Sequence, residues 1–384
     1  MIKNLIFLVQ IRLLKLSYYS MCLCNIKETD KWVIGVEEIA SFLNNMSTSL
    51  DMTDSVCLYG NPFYQFSYDI YWSSKTVFHK LALLVIGPVM LAYLINKYQG
   101  FIYLGSKGFL ISDCDGRNAE FDFIKAKSKG IVTVFLGSEI RSHVLQRQYA
   151  QDNDIELVVS YQEQVNPGIG SPDKEALRQK IGESADQYAD VIFNPSIDQM
   201  TYIKRKTLDT LYFYPTSLFN LNNDKWLDAK RLKIFHAPSS PIIKGTPLVR
   251  AAIKKLRLEG YDFDYQELSG VSHNQILKVL ASSHIVLNEF YAQVPGVFGV
   301  EAMANGCVLL TSADRNIEPS LPLDSDRAWV VTPYWDVYIK LKSVLDMPVD
   351  SLRRQAETGF EWALKNYSST ENAGHFKMII GDES

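Results

Sequence analysis

The sequence predicts a two-domain α/β protein in which parallel β-sheets are covered by helices. The chain has 384 residues, more than a single hydrophobic core usually organises. In both halves, short apolar runs rich in β-branched and aromatic residues alternate with stretches of helical spacing, the pattern of parallel sheets. Between the halves, residues 206–231 carry Pro215 and three asparagines, which is typical of a hinge.

The chain divides into four predicted segments. Residues 1–205 form the first α/β domain, 206–231 the hinge, 232–350 the second α/β domain, and 351–384 a C-terminal helical segment that packs back toward the first domain. Ligands of open parallel sheets bind beyond the carboxyl ends of the strands. The two domains are therefore expected to face each other across a cleft that holds the site.

The elements of the first half follow from apolar runs and turn residues. Strands are predicted at 18–24, 55–59, 101–104, 131–136 and 191–193, and helices at 36–43 and 81–95. The strand at 131–136 is the best bounded, because Lys129-Gly130 precedes it and Gly137 follows it.

The second half has clearer stop signals. Strands are predicted at 232–235, 261–268, 284–287, 307–310 and 328–331, and helices at 247–258, 273–280, 298–304 and 352–366. Ser272 is the expected cap of the second of these helices. Gly260, Gly270 and Gly306 end three of the elements.

Composition excludes several classes of protein. Hydrophobic residues make up 47% and charged residues 21%, as in globular domains, and the net charge of −4 excludes a general nucleic-acid coat. Five scattered cysteines provide neither a disulfide framework nor a paired zinc motif. These features predict a reduced, cytoplasmic protein.

Two segments bear on membrane contact. Residues 1–150 carry 15 Lys and Arg against 12 Asp and Glu, whereas residues 151–384 carry 24 against 31. The segments 1–17 and 81–95 are both apolar, and the first is also basic. Each segment is interpreted either as an ordinary packed element or as a surface that contacts anionic lipid at the inner face of the cytoplasmic membrane. The uncharged segment 81–95 is too short to span, and Gly87-Pro88 would kink it.

Two loops of the second half have the composition of a phosphate site. The first, FHAPSSPIIKGT, follows a strand and places Lys244 at the start of a helix, where a cation and free backbone N–H groups suit a diphosphate. The second, PGVFGVEAMANG, opens the next helix with Gly296 and Gly299, and Glu301 lies one turn further on. A carboxylate at that place can accept hydrogen bonds from a ribose.

In this order, the two loops and the run EAMANGCVLLT resemble the nucleotide-binding half of GT-B glycosyltransferases, which have two Rossmann-like domains. The resemblance covers about 230–345 and is to the retaining family-4 type of bacterial surface polysaccharide synthesis. It implies catalytic roles for Glu301, Lys244 and Gln293, the last at the position of the first acid of the family's E-x7-E pair. It implies donor contacts for His236, Ser239, Gly245, Ser269, Gly296, Val297, Phe298 and Gly299.

The sequence departs from the family pattern in two ways. Gln293 replaces an acid, and Glu289, the nearest upstream acid, has the wrong spacing. The family's arginine before the lysine is absent from 236–243, so Lys244 is expected to carry the diphosphate charge nearly alone.

The first half resembles the family more loosely. The segment WVIGVEEIA is similar to its first loop-and-helix unit, with Gly35 near the cleft, and VFLGSEIR is similar to a strand-end segment written GSDIR in related enzymes. Glu139 and Arg141 are therefore acceptor-side candidates, with a structural ion pair as the alternative.

Other chemistries lack their motifs. There is no GxSxG, Walker A or HExxH sequence. Asp113-Cys114-Asp115 matches the DxD metal motif only formally, and Gly116 after it favours a loop turn. No metal and no cofactor beyond the nucleotide-sugar donor are expected, since a helix N-terminus and Lys244 can stabilise a departing diphosphate.

The resemblance implies a hexosyl transfer from a nucleoside diphosphate sugar to a glycan or lipid-linked acceptor in lipopolysaccharide (O-antigen) or capsule synthesis, with the leaving diphosphate helping to deprotonate the acceptor. Two alternatives stay open: a catalytically impaired binding subunit of the same fold, and a nucleotide-sugar epimerase that acts on the donor alone.

Overall fold

A computed structural model describes residues 2–60, 66–72, 76–227 and 229–381 of the chain. Within these residues, the first sheet has six parallel strands in the order β3-β2-β1-β4-β5-β6. The strands are β1 (Trp32–Glu37), β2 (Thr53–Tyr59), β3 (Ile70–Tyr71), β4 (Gly100–Leu104), β5 (Gly130–Val134) and β6 (Val191–Phe193). Buried apolar residues lie on both faces of this sheet, as parallel sheets require.

Helices flank the first sheet. They are α1 (Ile2–Cys22), α2 (Phe42–Ser49), α3 (Val77–Lys97), α4 (Asn118–Lys125), α5 (His143–Asp152), α6 (Val158–Val165) and α7 (Pro172–Tyr188). Helices α1 and α3 are long and apolar enough to cross a membrane, a test that soluble core helices and N-terminal signal sequences also pass.

The second sheet has five parallel strands within the described residues, in the order β11-β10-β9-β7-β8. The strands are β7 (Leu232–His236), β8 (Phe263–Glu267), β9 (Ile285–Leu287), β10 (Val308–Thr311) and β11 (Val330–Val331). The helices are α8 (Thr246–Leu258), α9 (His273–Leu280), α10 (Gly296–Ala304), α11 (Ser325–Ala328), α12 (Val337–Leu345), α13 (Val349–Tyr367) and α14 (Ser369–Gly381).

These sheets confirm the predicted fold of two Rossmann-like units, and the final helix packs back onto the first unit as predicted. Phe376 of α14 lies 5.6 Å, ring to ring, from Phe193 of β6. The chain passes between the units at two adjacent places, because the Tyr214 amide donates to the Tyr367 carbonyl and the Ser369 amide donates to the Tyr214 carbonyl. The hinge at 206–231 and the other segment boundaries stay predictions.

Most predicted elements are confirmed within a few residues, but two near the N-terminus are wrong. The predicted strand at 18–24 is the end of α1, because Tyr18 packs on the core edge-to-face with Phe123 at 5.5 Å. The predicted helix at 36–43 begins only at Phe42, since 32–37 is the central strand β1. Tertiary packing overrides the strand propensity of 18–24 and the helical spacing of 36–43.

The Asp113–Asp115 motif forms the predicted loop turn. Asp115 accepts hydrogen bonds from the Arg117 and Ala119 amides at 3.0 and 2.8 Å, which fixes the start of α4. Asp113 lies 3.6 Å from the Lys3 ammonium and 3.7 Å from that of Lys107. Both carboxylates therefore have structural partners.

Candidate active site in the interdomain cleft

A cavity of about 460 Å³ lies between the two units, at the carboxyl ends of both sheets. The first unit contributes the loops after β1, β5 and β6, and the second contributes the loops after β7 and β9 and the N-terminus of α10. Of the predicted site residues, the cavity is lined by Arg141, Ser239, Lys244, Gly296 and Val297. We call this space the cleft cavity.

Lys244 reaches the cleft cavity from the loop before α8 and forms an ion pair with Glu289. Glu289 follows β9, and burial raises the pKa of its carboxyl against the opposing effect of the Lys244 ammonium. One Glu289 oxygen lies so close to the Cα of Gly296 that a Cβ there would approach it to 3.0 Å. Glu289 thus lies between the predicted phosphate cation and the N-terminus of α10.

Glu289 was not predicted as a site residue, because it does not have the spacing of the family's E-x7-E pair. The family resemblance places the first acid at 293, whereas the structure brings the acid at 289 to the lysine. The one available sequence indication was its position two residues after a buried strand, at the edge where parallel sheets bind ligands.

Gln293 lies at the contact between the two units. Its backbone amide donates to Asp198 of the first unit at 2.7 Å. Its side-chain oxygen is buried and has no hydrogen-bond partner among the described residues. Gln293 is not one of the residues that line the cleft cavity.

Arg141 supplies a second cation to the cleft cavity, from the opposite unit. Its guanidinium lies 2.7 Å from the Asp198 carboxylate, and its Nε donates to the Asp198 carbonyl at 2.6 Å. The ion pair expected as the alternative for Arg141 therefore exists, with Asp198 rather than Glu139 as its partner. Lys244 is consequently not the only positive charge at the cavity.

Glu301 lies one turn into α10, almost fully buried, and its carboxylate is 2.6 Å from Nε2 of His273. This hydrogen bond raises the pKa of His273. His273 opens α9 directly after its cap residue Ser272, close in sequence to the exposed Ser269. Neither Glu301 nor Ser269 lines the cleft cavity. Glu301 instead faces the first residue of α9 through its contact with His273.

Four residues that the sequence predicts to contact the donor have structural roles in the fold. His236 is fully buried, and its two ring nitrogens bond the Leu287 carbonyl at 2.7 Å and the Thr246 hydroxyl at 2.9 Å. Neither ring nitrogen is therefore left to bind a nucleotide sugar. Gly245 is the left-handed cap before α8. Phe298 stacks edge-to-face on Phe235 at 6.0 Å. A Cβ at Gly299 would approach the Asn288 side chain to 3.0 Å, so this glycine permits close packing.

Two residues predicted on the acceptor side, Gly35 and Glu139, also have structural contacts. Gly35 lies inside β1, paired with Val56 and Tyr103 on either side, and a Cβ there would collide with the Val56 carbonyl oxygen. Glu139 accepts hydrogen bonds from the Leu136 and Gly137 amides at 2.6 and 3.1 Å, which shapes its own loop. Neither residue lines the cleft cavity.

A buried carboxylate joins the two units beside the cleft cavity. Glu318, from the loop after β10, accepts hydrogen bonds from the backbone amides of Ser196, Ile197 and Asp198 at 3.0, 2.7 and 2.7 Å, and from the Ser196 hydroxyl at 2.5 Å. Because Asp198 also holds Arg141, Glu318 positions the first unit's side of the site. Sequence reasoning missed Glu318, since no motif surrounds it.

Metal ligands do not cluster in the part of the chain that the structure describes: no group of three His, Cys, Asp or Glu side chains could hold an ion there. The expectation that no metal is required stays a prediction.

No protein-family model and no curated protein matches the sequence. Solved structures with a similar fold include a sucrose-phosphate synthase from Thermosynechococcus elongatus, at 12% identity and a TM-score of 0.60, over 92% of this chain and 99% of that one. Anabaena HepE in complex with UDP-glucose has 11% identity and a TM-score of 0.56 over the same shares. WaaG, a glycosyltransferase of lipopolysaccharide biosynthesis, has 11% identity and a TM-score of 0.50 over 91% and 99%. The chain therefore has the GT-B fold of two Rossmann-like domains.

Proposed function

We propose that this protein is a retaining glycosyltransferase that moves a sugar from a nucleoside diphosphate donor to a glycan or lipid-linked acceptor in surface polysaccharide synthesis. The observation that carries the proposal is the group formed by Lys244, Glu289 and the N-terminus of α10 in a cleft between two Rossmann-like units. A cation and a helix N-terminus suit a diphosphate, and a nearby carboxylate suits sugar hydroxyls.

In the proposed reaction, Lys244 and the first amides of α10 bind the diphosphate and stabilise the charge that develops as the glycosidic bond breaks. The donor phosphate replaces Glu289 as the partner of Lys244, which frees the carboxylate for a donor sugar hydroxyl. Glu301 and His273 bind the ribose between α9 and α10. HepE was solved with UDP-glucose, so a uridine donor is the first to test.

The acceptor is proposed to enter from the first unit, where Arg141 faces the cleft cavity. The departing diphosphate accepts the proton of the acceptor hydroxyl, so no additional protein base is required. The protein is proposed to act in the cytoplasm, at the inner face of the membrane.

The first experiment is a thermal-shift screen of the purified protein with UDP-, GDP-, dTDP- and CDP-sugars. We expect one class to raise the melting temperature, and both Glu289→Gln and Glu301→Gln to reduce that shift. Glu361→Gln, an exposed change on α13, is the matched control. Failure of all four donor classes to bind the wild-type protein would overturn the proposal.

The second experiment follows the bound donor by NMR, with and without saccharide acceptors. Transfer with the same anomeric configuration in product and donor is the expected result, and inversion would exclude the retaining mechanism. Isomerisation of the donor without an acceptor would identify an epimerase. Binding without turnover across a panel of acceptors would identify a catalytically impaired binding subunit, the alternative that rests on Gln293 in place of an acid.

A further inference from the structure

Helices α1 and α3 lie side by side on the first unit and run in the same direction. Gln10 donates to the Leu84 carbonyl at 2.9 Å, and the Cys22 thiol donates to the Asn96 side-chain oxygen at 3.3 Å. Both pairs are 74 residues apart in sequence, so each position of α1 lies beside the position of α3 that is 74 residues later. The first turns of the two helices are therefore neighbours.

Helix α1 has two apolar faces, of which one is covered. The inner face packs on the core through Phe7, Ile11, Leu14, Tyr18 and Met21. The opposite face repeats at the same helical spacing and is exposed: Ile2, Leu5, Val9, Leu16 and Tyr19. An ordinary surface helix is polar on its outer side, so an apolar outer face indicates another environment.

Helix α3 extends this surface. Its first half exposes Val77, Phe78, Leu81 and Val85, with Phe78 at 76%. By the offset of 74, these four positions lie beside residues 3–11 of α1, the stretch that contains the exposed Leu5 and Val9. Together they form one apolar surface, which we call the α1/α3 face.

The two helices that form the α1/α3 face carry charged side chains of one sign only. The two helices contain five Lys and Arg residues and no Asp or Glu. Among the described residues, no ion pair involves Arg12, Lys15 or Lys80, whereas Lys3 lies near Asp113. A surface of apolar side chains bordered by free cations is complementary to a bilayer surface of anionic lipids. A soluble protein partner would not require this absence of acids.

One end of the α1/α3 face lies at the same edge of the first sheet as the cleft cavity. Helix α3 begins six residues after β3 ends, so its first turn is at the carboxyl edge. The loop after β4 also leaves this edge, and its Ile111 amide donates to Gln10 of α1 at 3.0 Å. A bilayer that contacts the face would therefore border the rim of the cleft on the side proposed for the acceptor.

We infer that the α1/α3 face is a docking surface for anionic lipid, on which both helices lie in the plane of the membrane interface. Their inner sides remain packed on the domain, and the exposed apolar residues enter the boundary between headgroups and acyl chains. This inference does not depend on the proposed transfer reaction, because docking requires neither donor nor acceptor.

The test is co-sedimentation of the full chain with phosphatidylcholine vesicles, with and without 30% phosphatidylglycerol, in the absence of nucleotide. We expect binding to the anionic vesicles and about a tenfold or greater loss of partitioning in Leu5→Glu/Phe78→Glu, since two apolar side chains leave the interface. Leu258→Glu/Ile339→Glu changes two exposed apolar residues of the second unit and should bind like the wild type.

A second pair of variants tests the charge. Arg12→Gln/Lys15→Gln should weaken anionic binding by about fivefold per charge, whereas Lys174→Gln/Lys254→Gln should leave it unchanged. Equal binding by the α1/α3 variants and their controls would overturn the inference. So would a wild-type dimer in solution that Leu5→Glu/Phe78→Glu converts to a monomer, because the face would then be covered by a second copy.

Discussion

Lys244 lies in the loop after β7, and its ion-pair partner Glu289 lies in the loop after β9. Glu289 meets it because β7 and β9 are neighbours in the second sheet, which brings the loops that follow them together. Gln293, at the position that the family pattern gives to its first acid, is four residues later in the chain, and its backbone amide donates to Asp198. The E-x7-E spacing holds only if the loop between β9 and α10 follows the family's path. In this structure the acid that meets the lysine is at 289 and not at 293.

Glu37 at the end of β1 provides a residue-scale prediction for stability. Burial raises the pKa of its carboxyl to about 7, with Glu139 adding to the shift and Lys107 and Arg117 opposing it. Since the native pKa lies above that of the unfolded chain, the stability that Glu37 contributes is complete below about pH 4.5 and is lost as the pH rises through 7.

We expect Glu37→Gln to remove the loss of stability that the ionisation of Glu37 causes at higher pH. Between pH 5 and pH 8, the free energy of unfolding of the wild type should fall by up to about 3 kcal/mol relative to the variant. Urea denaturation at both pH values measures the difference, with the exposed Glu361→Gln as control. Parallel pH profiles for the wild type and Glu37→Gln would contradict the prediction.

His273 provides a second residue-scale prediction, which concerns donor binding. Its hydrogen bond to Glu301 raises the pKa of the imidazole. A ribose that takes over Glu301 would weaken this bond, so the imidazole would release a proton. Donor affinity should therefore rise with pH above the ordinary histidine value of about 6.5.

Calorimetric titration with the best-bound nucleotide sugar at several pH values measures this dependence. It should disappear in His273→Asn and persist in His375→Asn, which changes an exposed histidine of α14. The same pH slope in His273→Asn and wild type would show that the donor leaves the pair intact.

At the scale of an element, Gln10 of α1 binds α3 at the point where Pro88 interrupts the helical hydrogen bonds of α3. Pro88 has no amide hydrogen, so the Leu84 carbonyl one turn earlier in α3 lacks its helical partner. Gln10 donates to that carbonyl, and its own oxygen accepts the Ile111 amide. The predicted kink residue thus has a compensating partner 78 residues earlier in the chain.

Gln10→Leu keeps the volume of this side chain and removes both hydrogen bonds. We expect a loss of about 2–5 kcal/mol in the free energy of unfolding, because two partly or fully buried backbone groups lose their partners. Gln148→Leu on the exposed side of α5 should change it by less than about 0.5 kcal/mol. Equal denaturation midpoints for the two variants would show that the Gln10 hydrogen bonds do not contribute to holding α1 in place.

At the scale of the whole molecule, the two units are joined at the site as well as at the chain crossings. Glu318 binds three consecutive amides of the other unit, and the Gln293 amide binds Asp198. The geometry of the cleft therefore depends on contacts between residues more than 90 positions apart in sequence.

Glu318→Ala should release the 196–198 loop. Hydrogen exchange of the three amides is expected to accelerate at least tenfold, since a single lost hydrogen bond costs about 1 kcal/mol and three are lost. Exchange in β4 and β5 should not change, and Glu361→Ala serves as control. Unchanged protection at 196–198 would mean that other contacts hold the two units together.

The sequence by itself determined the two-sheet architecture, most elements from 232 onward, the loop of Lys244 and the start of α10, because periodicity, caps and glycine turns act within a few residues. It also pointed to Arg141, which lines the cleft cavity, but not to its partner Asp198. Only the tertiary structure decided which charges meet, as in Lys244 with Glu289 and Glu301 with His273, and which face of α1 is covered. Those outcomes depend on strand order and helix packing, which join residues that no local pattern relates.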